Sequence, residues 1–121
     1  MNNKYMNNKT ISRSDIKCLL RSIGCYSCYN GFEYLTDLIL LALQEYKYNK
    51  PIKINKAIYN VACKYNIKSS KIEADIRSII RRSWIRSNGK SWEKITNIEI
   101  NNTPTIKESV YLICEYLDAK I

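Results

Sequence analysis

The sequence predicts an all-α domain of about six helices, compact and single, containing a helix-turn-helix. Three observations predict it. Among 121 residues there are only 3 Gly and 2 Pro, too few for the many tight turns of a β sandwich. Apolar residues recur at helical spacing along most of the chain. With 45% hydrophobic and 26% charged residues, the composition is that of a folded chain with one core, not of a disordered one. No internal repeat and no domain boundary is visible.

Residues 1–13 are polar, rich in Asn and Lys and without periodicity. They read as a mobile arm, which leaves residues 14–121 as the domain. Ser14 or Asp15 can cap a first helix with Ile16, Leu19, Leu20 and Ile23 on one face, closed by Gly24. Residues 25–31 read as a loop. A second helix over 32–46 carries a continuous stripe of Phe32, Leu35, Leu38, Ile39, Ala42, Leu43 and Tyr46. Leu40 and Leu41 make it apolar nearly all round, which places it at the centre. Lys50-Pro51 breaks the pattern. A third helix over 54–65 carries Ile54, Ala57, Ile58, Val61, Ala62 and Tyr65, and Asn66 can adopt the left-handed conformation that closes it. A fourth over 70–86 carries Ile72, Ile76, Ile79, Ile80, Ser83 and Trp84, with Ser70-Lys71-Ile72-Glu73 in capping-box form. Residues 87–90 read as a turn, 91–95 as a short helix, and 97–104 as irregular despite Ile98-Glu99-Ile100. A last helix over 105–119 places Ile106, Val110, Ile113, Cys114 and Leu117 on one side.

Charge is distributed unevenly. The net charge is +9, and residues 51–90, with ten basic and two acidic side chains, hold +8 of it. A basic centre between near-neutral flanks points to a polyanion-binding surface, against the plainer reading of a solvated face. The chain has no His, which removes the commonest general base and zinc ligand together and argues against an enzyme. No apolar run approaches a membrane span, and the start lacks a signal-peptide stretch, so a cytoplasmic protein without membrane contact is expected. The five cysteines, Cys18, Cys25, Cys28, Cys63 and Cys114, read as reduced thiols. Cys25 and Cys28 have CxxC spacing, but without a second pair or a histidine neither a metal nor another cofactor is expected. Cys63 and Cys114 read as core.

The third and fourth helices, joined by about four residues, have the form of a helix-turn-helix. At about 100° per residue, the face of the fourth helix opposite its isoleucine stripe holds Ala74, Ser78, Arg81 and Ile85, flanked by Lys71, Arg77 and Arg82. Small residues near its start permit close approach to base edges. Basic residues further along can reach phosphates, and the positive helix N-terminus adds to that attraction. The candidate DNA-contact set is Lys68, Ser69, Ser70, Lys71, Glu73, Ala74, Arg77, Ser78 and Arg81. Each has a plainer reading: Ser69, Ser70 and Glu73 as caps, the cations as surface charge.

Three blocks resemble one family. They are Ile16-Lys17-Cys18-Leu19-Leu20-Arg21-Ser22-Ile23-Gly24, then Gly31-Phe32-Glu33-Tyr34-Leu35, then the run from Ala62 to Arg77 followed by Ile80 and Trp84. Their order and spacing are similar to the C-terminal DNA-binding domain of the sporulation initiation factor, stage-zero sporulation protein A, over about residues 14–121. The resemblance implies a fold of the response-regulator effector or winged-helix-like kind, with the fourth helix in the major groove of a short promoter box. Where the family reads bases through Arg-x-Glu-Arg, this chain has Lys71-Ile72-Glu73-Ala74. Lys71 is a point donor and Ala74 donates nothing, so the target sequence is expected to differ. Asp75 adds a negative charge where the family tends to be neutral. Arg77 matches a family arginine and keeps a backbone-contact role. The family's receiver domain is not expected before residue 14, which excludes phosphorylation of that domain as the switch.

The expected function is sequence-specific binding of double-stranded DNA by a transcription regulator, as a homodimer on its site, with Tyr111, Tyr116 and Ile121 of the last helix as candidates for the self-contact. The second reading is a protein-interaction module that pairs with or competes against a full-length sporulation response regulator. A redox or zinc protein built on Cys25 and Cys28 is the third.

Overall fold

The structure of the chain, a computed structural model, describes residues 10–120. Six helices follow one another: α1 Arg13–Ser22, α2 Gly31–Lys47, α3 Ile54–Tyr65, α4 Ser69–Ser87, α5 Lys90–Thr96 and α6 Ile106–Ala119. Among the described residues there is no strand, so the winged-helix-like variant of the expected fold has no β wing here. Most of the segment read as an arm lies outside the described residues. Its last two residues belong to α1, since Ser12 caps the helix and Arg13 begins it. The cap differs from the expected Ser14 or Asp15. Ser12 accepts from the Asp15 N–H at 3.1 Å, and Asp15 returns the bond to the Ser12 N–H at 2.8 Å, which is a complete capping box. Thr105 and Glu108 make the same box at the start of α6.

Helix ends explain how so few glycines suffice. After α1, Gly24 takes φ +91°, its N–H bonds to the Arg21 carbonyl, and the Cys25 N–H bonds to that of Leu20, a Schellman motif. The same pair of bonds closes α2, α3 and α4, but there the left-handed residue is Asn49, Asn66 or Asn88, with φ between 53° and 58°. Asn is the residue besides Gly that tolerates this conformation.

α2 is the hub. It packs against α1, α3, α4 and α6, and α4 in turn meets α3, α5 and α6. Phe32, Leu35, Leu38, Ile39 and Ala42 of α2 are buried together with Ile16 and Leu20 of α1, Ile72, Ile76, Ile79 and Ile80 of α4, and Val110 and Ile113 of α6. The largest fully buried side chain is Trp92 of the short α5. Its Nε1 donates to Ser83 Oγ at 2.9 Å, and Ser83 donates to the Ile80 carbonyl at 2.9 Å. Trp84, expected in the core stripe, is only half-buried. Cys114 is buried as expected, but Cys63 is exposed. Its position lies about 180° round α3 from Ile54, on the solvent side of the stripe.

Asp37 ties three helices together. It is buried in α2 and accepts hydrogen bonds from Arg13 of α1 and from Lys64 and Tyr65 of α3, the Lys64 bond being 3.0 Å. Burial by itself would raise its pKa. The bonds from Arg13, Tyr65 and Lys64 outweigh burial and hold the carboxyl below the ordinary aspartate value.

Candidate nucleic-acid interface

Three residues, Asn66, Ile67 and Lys68, join α3 to α4. Lys68 is the extended residue at the N-cap position, with no side-chain cap bond. The helix therefore begins at Ser69, one residue earlier than expected, and Ser70 and Glu73 fall out of register for a capping box. Glu73 instead accepts from Arg77 at 2.6 Å, one turn on. Lys71 makes the analogous bond to Asp75 at 3.1 Å.

The isoleucine face of α4 is buried, and this sets the roll of the helix. Lys68, Ser70, Lys71, Ala74, Arg77, Ser78 and Arg81 are exposed, and Ser69 and Glu73 are half-exposed. The candidate residues are thus brought to one outward surface, and no described segment covers it. At about 100° per residue they form two rails on either side of a strip made by Ala74, Ser78 and Ile85. One rail is Lys71, Asp75, Arg82 and Arg86. The other is Glu73, Arg77 and Arg81. The second rail borders a 440 Å³ cleft that Asn55 of α3 and Thr103, Thr105 and Lys107 at the start of α6 also line.

The first rail meets the loop between α1 and α2, which sequence reasoning passed over. Gly31 sits against α4 so closely that a Cβ on it would lie 2.3 Å from the Asp75 carbonyl oxygen. Cys25 is fully buried and pins the loop. Tyr29 and Tyr26 then reach α4: the Arg82 guanidinium lies 5.0 Å from the Tyr29 ring centre, and that of Arg86 lies 4.6 Å from Tyr26. Arg86 also donates to the Tyr29 hydroxyl. The signal present in the sequence is a pair of tyrosines, Tyr26 and Tyr29, interleaved with the CxxC spacing in a loop of a strongly basic chain. The two thiols of that spacing are unlike each other, because Cys25 is buried and Cys28 exposed. Burial pushes the Cys25 thiol up to about 11, against a smaller opposing effect of Ser83. Among the described residues no three His, Cys, Asp or Glu side chains gather as a metal-ligand group, and no helix is long and apolar enough to cross a membrane.

Of the residues named for self-contact, Tyr111 is engaged internally: its hydroxyl accepts from the Ile52 N–H at 3.0 Å and holds the α2–α3 connection. Tyr116 is half-buried under Lys120, and Ile121 lies outside the described residues.

Two helices joined by a three-residue turn, the second seated by an isoleucine seam and basic on its outer side, make a helix-turn-helix DNA-binding domain. The family is specific as well. The family model described as sporulation initiation factor Spo0A C terminal matches residues 16–117, and the chain belongs to that family. It is a DNA-binding effector domain of the sporulation-factor type, at work in transcription regulation.

Proposed function

We propose that this chain is a sequence-specific regulator that inserts the first half of α4 into the major groove of duplex DNA, and that it binds without phosphorylation of its own residues. One observation carries the reading: the outer surface of α4 from Lys68 to Arg86 is open and basic while its isoleucine seam is buried. Lys71, Ala74 and Ser78 face base edges in this reading. Lys68, Ser69, Ser70, Arg77 and Arg81 serve the backbone, and Glu73 accepts from a cytosine amino group once Arg77 turns to a phosphate. One recognition helix buries too little surface for a specific site, so two copies bind adjacent half-sites, meeting through the outer side of α6 around Tyr116. The protein works in the cytoplasm, on the chromosome, and is not an enzyme.

The test is duplex affinity of the unphosphorylated chain against salt. The three cationic phosphate contacts, Lys68, Arg77 and Arg81, give a log–log slope of about −2.7 for each bound copy. Lys71→Ala weakens a preferred duplex more than a random one if Lys71 reads a base, and both equally if it holds a phosphate. No duplex binding at low salt refutes the proposal.

A second reading is favoured by Ala74, which has no donor, and by the ion pairs that occupy Lys71 and Arg77. In that reading the domain pairs with a full-length sporulation response regulator and blocks it. Its mark is inhibition of that regulator by a chain that binds no duplex itself.

A further inference from the structure

The cations of α4 are not equally available. Lys71 and Arg77 near its start are each paired with a carboxylate one turn away. Arg82 and Arg86, further along, have no carboxylate partner among the described residues. They are instead laid on aromatic rings. Tyr26 and Tyr29 stack with 6.4 Å between ring centres and 20° between planes, and Arg86 stands within 5.7 Å of both. Stacking uses the face of a guanidinium and leaves N–H edges to donate outward, although one Arg86 N–H is taken by the Tyr29 hydroxyl.

The platform beneath them is fixed. The Tyr29 N–H bonds to the Tyr26 carbonyl at 3.2 Å, and the Phe32 N–H to the Tyr29 carbonyl at 3.1 Å. The buried Cys25 anchors one end of this turn, and Gly31 docks the other on α4. The two arginines are therefore held before any ligand arrives, which lowers the ordering cost of binding.

Position says what they meet. At 1.5 Å per residue, Arg82 and Arg86 lie about 16 and 22 Å along α4 from Lys71. The major groove is about 12 Å wide. With the first turns of α4 in the groove, this pair, on the same rail as Lys71, stands over the sugar–phosphate wall. We propose that Arg82 and Arg86, held by Tyr26 and Tyr29, form a second DNA-contact site that grips backbone phosphates irrespective of sequence. The proposal rests on the groove-binding reading above. It supplies affinity where Ala74 and the paired Lys71 supply little.

The experiment compares the full chain with the Arg82→Gln/Arg86→Gln double variant on a preferred and a random duplex, over a range of salt. Losing two phosphate contacts per copy reduces the magnitude of the log–log slope by about 1.8 for each bound copy and weakens each copy's hold on either duplex about sixty-fold at 0.1 M salt. The charge-keeping Arg82→Lys/Arg86→Lys pair retains the slope and controls for folding, alongside the helical circular-dichroism signal of each variant. Tyr26→Ala/Tyr29→Ala weakens both duplexes by a smaller factor. An unchanged slope in the glutamine pair overturns the proposal. So does a loss confined to the preferred duplex, or a loss of an acidic protein partner with DNA affinity intact. A parent chain that binds no duplex at all overturns the groove-binding reading instead.

Discussion

Gly31 is the point at which α2 touches α4, and replacing it with alanine tests how α4 is held. The added Cβ would lie 2.3 Å from the Asp75 carbonyl oxygen, 2.8 Å from its carbon and 3.0 Å from the Ile79 Cγ2. Two of these three atoms are backbone in the middle of a 19-residue helix, so no side-chain rotation relieves the clash. The helices must part by about 1 Å along a seam where Phe32, Ile76 and Ile79 are buried. Overpacking of this kind costs about 1–3 kcal/mol, and a rigid backbone neighbour puts it at the upper end. Alanine returns up to about 1 kcal/mol in helix propensity, less at a first helical position. The net is a loss of about 2 kcal/mol, or about 8 °C in Tm for a domain of this size. Thermal unfolding followed by circular dichroism at pH 7 measures it. A Gly31→Ala protein as stable as the parent, or more so, would refute the close-approach argument.

The Asp37 cluster predicts an acid limb. Its carboxyl is held below the ordinary aspartate pKa of about 3.9, so its contribution is complete above that value and is lost as pH falls through the lower native one. Asp37→Asn should cost about 1–3 kcal/mol at pH 7 and flatten the stability curve below about pH 4; equal acid sensitivity of both proteins would disprove the assignment. Asn66→Gly should leave stability within about 0.5 kcal/mol, whereas Asn66→Ala should cost about 1–2 kcal/mol because alanine resists φ +54°, and equal melting of the two would count against the left-handed cap. In the native protein iodoacetamide should modify the exposed Cys18, Cys28 and Cys63 and spare Cys25 and Cys114, whose thiols burial pushes up to about 11 and about 12; mass spectrometry showing five equally reactive thiols would contradict their burial.

What could be read from the chain beforehand follows the range of the interactions. Apolar periodicity is local, so the long helices and the buried isoleucine seam of α4 were legible, and α3 was bracketed correctly by Pro51 and Asn66. The start of α4 was displaced because Ser69 and Ser70 are both good cap residues and neither is used as one. Trp92 escaped notice because seven residues of α5 are too short to establish a period. The role of Asp37 has no local signature, since its partners Arg13 and Lys64 lie 24 and 27 residues away. The outward set on α4 was legible from the wheel alone. The aromatic support of Arg82 and Arg86 was not, because Arg86 and Tyr29 are 57 residues apart.

The helix stops written in asparagine bear on the codons that the joints of this fold require. Asn codons are rich in A and T, and Gly codons are rich in G and C. Asn49, Asn66 and Asn88 make at the ends of α2, α3 and α4 the reversal of the backbone that Gly24 makes after α1, so three of these four joints are closed without a codon rich in G and C.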